Sequence, residues 1–457
     1  MIDPRDEAVI RKVMRRLIPF CILCYLLNYI DRVNISVAKL KMMSPVNGVP
    51  GFTDDVYVTG AAIFFVGYFV FELPSNLIQQ RVGPRRWIAR IMITWGLVTM
   101  AFMWTAGPWS FYGLRFLLGL AEAGFFPGIF LYLSCWIPHA YRARAAAWFL
   151  ASTAIAGVIG NPLTGGILSL AEKYPSSLKS WQWVFLLEGI PSVALGIVTL
   201  LFLTDRPEEA KWLSPEERLG LAGIMARERD AHPAAHLSDL GSAFASPHMW
   251  MLSFIYGLVI VGFYTVNFFT PTIIESALLL AGTISKATPE YHKYLVVGLF
   301  SAIPFSCAAV GMVLIGRRSD RKNERKYHLA FACGLIAVGL ILAGLAQVLA
   351  TGIAATGVTL VGLSIGAIGA FGMFGPFWAL PPQFLTGTAV AAAFAIINSV
   401  GNLLGGFLGP MVIKQMSMQN GLFLSGGLGA LATVLVIFAP IPPTEAGRAD
   451  GPAGTAR

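Results

Sequence analysis

Four ionisable residues stand where the chain is otherwise apolar: Asp31 and Arg32 in one long apolar run, Arg115 and Glu122 in another. A charged side chain at the middle of a membrane helix costs about 2.5–3.5 kcal/mol on insertion scales, so each is expected to face a partner or a wet cavity. The Arg32 guanidinium is a planar fork of donors matched to a carboxylate, which makes it a candidate for binding an anionic substrate. Asp31 and Glu122 are candidates for carrying protons, because loss of water favours a carboxyl group's neutral form. Arg115 lies seven residues before Glu122, hence on the same helical face, and could pair with whichever acid is ionised, linking protonation to helix arrangement. The alternative is a buried network that only fixes one helix against the other. No mid-run charge of this kind occurs in the C-terminal half, an asymmetry that purely structural pairing has less reason to produce.

Uncharged polar groups extend the set. Tyr29 and Tyr68 are phenols able to bond a hydroxyl or a carboxylate, although a tyrosine in a membrane helix often serves as an interfacial anchor. Asn398, Asn161 and Ser364 would complete a binding site from other helices, with Asn267 a weaker candidate and Asn402 read as packing beside glycines. Glu72, near Arg81, Arg85 and Arg86, is expected to form a gating or structural salt bridge, and Glu188 to be structural. The aromatic stripe from Trp378 to Phe384 is expected to pack. Gly157, Gly160, Gly165, Gly166, Gly405 and Gly406 are expected to let helices approach closely and slide.

These residues need membrane helices to position them. Of 457 residues, 56% are hydrophobic and 12% charged, against about 25% charged in an ordinary soluble protein. Apolar runs near 16–38, 56–79, 87–106, 109–137, 143–170, 183–203, 248–275, 292–315, 328–350, 352–378, 385–412 and 418–439 each approach the roughly 20 residues that a spanning helix needs. They are too long and unbroken for barrel strands. The fold class expected is therefore all-α, twelve transmembrane helices in two six-helix bundles. Residues 1–204 form the first bundle, 205–246 a polar connector, 247–440 the second bundle, and 441–457 a disordered tail. Within the connector, Ser214-Pro215-Glu216-Glu217 has the capping serine, first-turn proline and third-position glutamate that start a helix.

Lysine and arginine set the orientation. Twenty-four of the 33 fall on one side and seven on the other, with Arg32 and Arg115 inside spans, which places both termini and the connector in the cytoplasm. The net charge of +9 then faces anionic lipid. Its dispersal over short loops argues against nucleic acid as a partner. The charged N-terminus lacks a cleavage site for a signal peptide. Five cysteines lie in or beside apolar runs and read as free thiols, and the six histidines show no metal-ligand spacing, so no metal or other cofactor is expected beyond protons as coupling ion. The bilayer is the surrounding partner, and a monomer is the default.

The halves repeat. Gly160-Asn161-Pro162-Leu163-Thr164-Gly165-Gly166 recurs as Gly401-Asn402-Leu403-Leu404-Gly405-Gly406, and Gln80-Arg81 aligns with Asp320-Arg321 at nearly the same offset. A duplicated six-span unit places a site at the midplane between two rocking halves. The two basic loops resemble the signature of the major facilitator superfamily. Asn28 to Asn34, Gly67 to Asn76, Arg115 to Gly124, Phe377 to Pro381 and Asn398 to Asn402 resemble its anion:cation symporter branch. The first signature loop has Gln80 where the superfamily usually has aspartate; the second keeps Asp320. The bacterial carriers it resembles take tartrate, galactonate, phthalate or 4-hydroxyphenylacetate with protons. The resemblance implies an inner-membrane importer of a small organic anion working by alternating access, with Tyr29 and Tyr68 at the site and Asp320, Arg81, Arg85, Arg86 and Arg321 in gating loops. The polar donors favour a hydroxylated acid such as tartrate or a sugar acid. An aromatic carboxylate, or exchange or facilitated diffusion in place of symport, is the alternative. A membrane enzyme would need a nucleophile–base or metal constellation, and neither is visible.

Overall fold

The computed structural model describes residues 4–231, 245–285, 287–349, 351–384, 389–413 and 415–441, and among them twelve helical stretches are long and apolar enough to cross a membrane. The first six are α1 (Pro4–Val33, continued by Ile35–Met42), α2 (Asp54–Val82), α3 (Pro84–Ala101), α4 (Pro108–Glu122, continued by Phe125–Ser134), α5 (His139–Lys173) and α6 (Ser180–Phe202). After the connector helix α7 (Pro215–Ala231) come α8 (Pro247–Leu280), α9 (Glu290–Lys322), α10 (Lys326–Leu349), α11 (Gly352–Gly372, continued by Phe374–Trp378), α12 (Ala389–Asn402 and onward to Ile413) and α13 (Met418–Phe438). Most helices outrun the apolar stretch that marks them in the sequence, because their end turns are polar. Asp54 and Asp55 open α2, where Thr53 accepts the Val56 amide at 3.3 Å, and acidic first turns suit the positive end of a helix dipole.

Each half is a bundle in which α3 packs on α6, and α10 on both α11 and α13. The halves meet through α5 against α9 and α2 against α12. Glycines make the first of these contacts close. A Cβ on Gly165 would come within 2.6 Å of the Tyr294 carbonyl, and one on Gly298 within 2.7 Å of the Asn161 carbonyl. Gly157, Gly405 and Gly406 are likewise pressed against Phe305, Ile260 and Phe65. Gly166 departs from the expectation: nothing lies within 4 Å of where its Cβ would be.

Two of the interruptions have plain local reasons. In α4, Gly124 has a φ of 84°, and a Cβ there would strike the Ser75 hydroxyl at 2.3 Å. In α12, Leu403–Leu408 is π-helical. Pro410 follows within a turn, and a proline lacks the amide for its α-helical bond and crowds the carbonyl four residues back, which favours a widened turn.

The connector face of the molecule is set by α7. Its capping box forms as the sequence implies: the Glu217 amide donates to Ser214 Oγ at 3.1 Å and the Ser214 amide to Glu217 Oε2 at 2.8 Å. Lys12 of α1 reaches Glu217 at 2.7 Å, and Arg142 of α5 reaches Glu228 at 2.9 Å, so α7 is held on the first bundle. Residues 232–244 of the connector and 442–457 of the tail lie outside the described residues.

On the opposite face the sequence reading is corrected. Lys39 and Lys41, read as loop charges, belong to the continuation of α1 and are buried. Lys39 pairs with Asp54 at 2.9 Å and stands 4.2 Å over the Tyr57 ring. Lys41 pairs with Glu172 at 3.1 Å and with Glu290 of the other half. Lysine is rarely buried without a partner, and the Lys41 pair with Glu290 links the two halves on this face.

Candidate functional site

A small cavity lies between the halves. From α1 it is lined by Tyr25, Tyr29 and Arg32, and from α2 by Phe65 and Tyr68. The second half supplies Tyr256, Ile260, Phe263 and Tyr264 from α8, Phe374 and Trp378 from α11, and Asn398 and Asn402 from α12. Residues 25, 29 and 32 recur at the spacing that puts side chains on one helix face, as do 256, 260, 263 and 264.

Arg32 holds the only cation among the lining residues. Its Nε lies 3.0 Å and its Nη2 2.6 Å from Glu122 Oε2, and its guanidinium carbon sits 5.2 Å from the Phe64 ring centroid and 5.4 Å from that of Tyr68. Glu122 is fully buried, and its Oε1 has no hydrogen-bond partner. Asn28, one turn before Arg32, stands beside the same carboxylate, and neither its amide nor Glu122 Oε1 makes a close hydrogen bond. Buried polar atoms left unsatisfied are uncommon, and they mark a place where a proton, water or ligand belongs.

Asp31 takes a different direction from its neighbour, as adjacent helix positions must. It enters the first bundle, where its Oδ2 accepts from Trp95 Nε1 at 3.0 Å and from Ser192 Oγ at 2.5 Å. Arg115 does not form the expected ion pair in this state. Its guanidinium lies 5.4 Å from the Phe111 ring centroid and 5.6 Å from that of Phe102, and its Nε and Nη2 have no hydrogen-bond partner. Seven residues separate it from Glu122, about 10 Å along a helix, and Arg32 reaches the same carboxylate from closer by.

The second half answers with amides and phenols. Tyr29 donates to Asn267 Oδ1 at 2.8 Å, joining α1 to α8. Tyr264 donates to Asn402 Oδ1 at 2.8 Å, and Asn402 donates to Asn398 Oδ1 at 3.2 Å. Asn398 Nδ2 in turn donates to Glu72 Oε1 at 2.9 Å, and Ser399 Oγ to Glu72 Oε2 at 2.8 Å.

Several sequence expectations change here. Glu72 is buried and bonds α12 rather than Arg81, Arg85 or Arg86. Arg85 reaches Asp205 instead, its amide lying 2.8 Å from Oδ1, while Arg81 and Arg86 are exposed. Asp320 pairs with Arg325 of its own loop at 2.5 Å, and Arg321 is exposed. Asn161 and Ser364 do not line the cavity; Asn161 Nδ2 bonds the Gly157 carbonyl within its own helix at 3.0 Å. Asn402 and Trp378, both read as packing, do line it. Glu188 is buried and accepts from Thr164 at 2.7 Å. Among the lining residues missed, Tyr25, Tyr256 and Tyr264 carried a usable signal: Tyr25 lies four residues before Tyr29, and Tyr256 eight before Tyr264.

The sequence model of the Major Facilitator Superfamily matches residues 21–410. The chain belongs to the Major Facilitator Superfamily. This facilitator is 43% identical over 434 residues to a protein of Agrobacterium vitis provisionally named a tartrate transporter, covering 95% of this chain and 94% of that one. It is 36% identical over 431 residues to a quinolone resistance transporter of Acinetobacter baumannii, covering 94% and 93%. In fold it matches the partially occluded, inward-open xylose transporter XylE of E. coli with a TM-score of 0.70 at 14% identity, covering 94% and 98%. It is a multi-pass membrane transporter. Relatives this similar carry unlike cargoes in their names, so the cargo has to be argued from the cavity.

Proposed function

We propose that this facilitator is a proton-coupled importer of a small hydroxylated carboxylate, such as tartrate or a sugar acid, working by alternating access in a bacterial inner membrane with both termini and the connector face in the cytoplasm. The observation that carries the reading is Arg32, a guanidinium at the wall of a cavity between two halves, surrounded by phenols and amides and held by a single acid. Arg32 can bind a substrate carboxylate only if Glu122 gives it up, and a proton on Glu122 removes the charge that holds them together. Proton and anion therefore arrive together. When the substrate leaves on the other side, Arg32 returns to Glu122 and the proton is expelled. Asp31, buried beside Ser192 and Trp95, is the second proton carrier, and Arg115, unpaired in this state, has room to take an acid in another. The phenols and the asparagines supply donors and acceptors for substrate hydroxyls.

The 24-to-7 distribution of positive charge supports the orientation. The relative named for tartrate supports the cargo class. One observation favours the second reading: Phe65, Phe263, Phe374 and Trp378 give the cavity flat apolar walls, which suit an aromatic carboxylate.

The test is uptake of labelled L-tartrate into vesicles of the purified protein under an inwardly directed proton gradient, against galactonate, phthalate and 4-hydroxyphenylacetate. Gradient-driven accumulation of a hydroxylated acid, abolished by an uncoupler, supports the proposal. Accumulation confined to the aromatic acids moves the assignment to the second reading. Uptake untouched by the uncoupler replaces symport with exchange or diffusion.

A further inference from the structure

Two sets of donors at this cavity already hold a carboxylate. Arg32 is filled by Glu122. Across the cavity, Asn398 Nδ2 and Ser399 Oγ both point at the Glu72 carboxylate, one to each oxygen, at 2.9 and 2.8 Å. Two neutral donors on one helix, spaced to grip the two oxygens of one carboxylate, make a recognition element that is independent of Arg32. Glu72 enters it from the other half of the molecule, 326 residues away in sequence. Glu72 is 6% exposed, none of its ion pairs with the nearby arginines forms, and its two carboxylate bonds are those to α12. A buried carboxylate held only by neutral donors is an expensive arrangement, which needs a reason beyond packing.

The geometry points to a second carboxylate subsite, Asn398 with Ser399, occupied in the empty carrier by Glu72 as a resident anion and surrendered to a substrate. Its natural ligand class is the second carboxylate of a small dicarboxylate whose first carboxylate goes to Arg32; this clause rests on the carrier reading above. Glu72 also joins α2 to α12 across the two halves. In the empty carrier an internal stand-in for the cargo thereby ties the two halves together. Asn402 and Tyr264 stand behind the subsite and fix the Asn398 amide with its Nδ2 toward Glu72, because Asn402 donates to Asn398 Oδ1.

The test uses the full-length protein, no cargo, and acetate as the probe. Spin labels go on cysteines replacing the exposed Gln80 and Arg317, at the connector-side ends of α2 and α9, in a background lacking the five native cysteines. The empty parent should give a short inter-label distance and Glu72→Ala a longer one. Acetate should return Glu72→Ala to the short distance, and chloride at equal ionic strength should not. Asn398→Ala/Ser399→Ala should be long with or without acetate. Should Glu72→Ala fail to fold, Glu72→Gln, which keeps the shape and loses the charge, replaces it and should lengthen the distance. An unchanged distance in the Glu72 variants overturns the proposal. So does a Glu72→Ala protein that acetate cannot close, or one that acetate closes without Asn398 and Ser399. None of these readings depends on uptake, so a failure of tartrate transport and a failure of the subsite are told apart.

Discussion

Arg32 Nε and Nη2 converge on one oxygen of Glu122, Oε2, at 3.0 and 2.6 Å, and leave Oε1 without a partner. A side-on fork with both donors on one oxygen is less than the full two-by-two pairing that a guanidinium can make with a carboxylate. The free oxygen is a site at which a proton can add before the pair separates.

Arg32→Ala should leave Glu122 buried and alone. Truncating one member of a buried charge pair typically costs about 3–5 kcal/mol, so the variant should be less stable, and tartrate should no longer raise its melting temperature. Arg32→Lys should restore the stability better than the binding, since an ammonium cannot reproduce the planar fork. Melting curves with and without tartrate check both.

Asp31→Asn removes a titratable group that the cavity does not see. Its amide can still accept from Trp95 or Ser192, so tartrate binding and tartrate-for-tartrate exchange should survive. Accumulation driven by the proton gradient should be lost. Equal loss of exchange and accumulation would deny Asp31 a role confined to coupling.

At the meeting of α5 and α9, Gly298→Leu drives a side chain into the Asn161 carbonyl. Overpacking of this kind costs about 1–3 kcal/mol, and here it falls on the surface along which the halves must move. Transport should fall well below the parent rate while the protein remains folded. Gly166→Ala, with open space around it, should behave as the parent in the same uptake assay.

The docking of α7 should depend on pH. The Glu217 carboxyl is held below its usual value of 4.5, chiefly by the hydrogen bond from Lys12 and then by the Ser214 amide. A depressed carboxyl contributes stability at higher pH and loses it as pH falls through its folded value. Protection of residues 215–231 against hydrogen exchange should thus be full at pH 7 and fall below pH 4.5, and Lys12→Ala should show reduced protection already at pH 7. The effect should be small, because the pair is partly exposed.

The apolar runs, the duplicated loops and the Ser214–Glu217 cap were legible because each is a local pattern with a local cause. The cost of charge in a membrane likewise picked out Arg32 and Glu122 from composition alone. Partner choice was less legible. Glu72 lies close to three arginines in sequence and bonds two residues more than 300 positions away, a pairing that only the docking of α2 on α12 decides. Arg115 shares a helix face with Glu122, yet a second guanidinium approaches that acid from α1 and takes it. The glycines beside Asn402 argue for packing, and Gly401 and Gly405 do pack on α8; the same helix turn also aims the amide at Tyr264. Asp31 and Arg32 are adjacent letters, and a rotation of about 100° sends them into different compartments.

The π-helical stretch at Leu403–Leu408 adds an angular consequence. A π-bulge accommodates one residue more than the α-helical path it replaces, so the chain after it is out of phase by roughly 100° with the chain before it. The face that presents Asn398 and Asn402 to the cavity is therefore not continued by the positions that a uniform helix would assign beyond Gly409. The far end of α12 is free to meet its neighbours with a different set of side chains, and the two ends of one helix serve as separately oriented surfaces on a common axis.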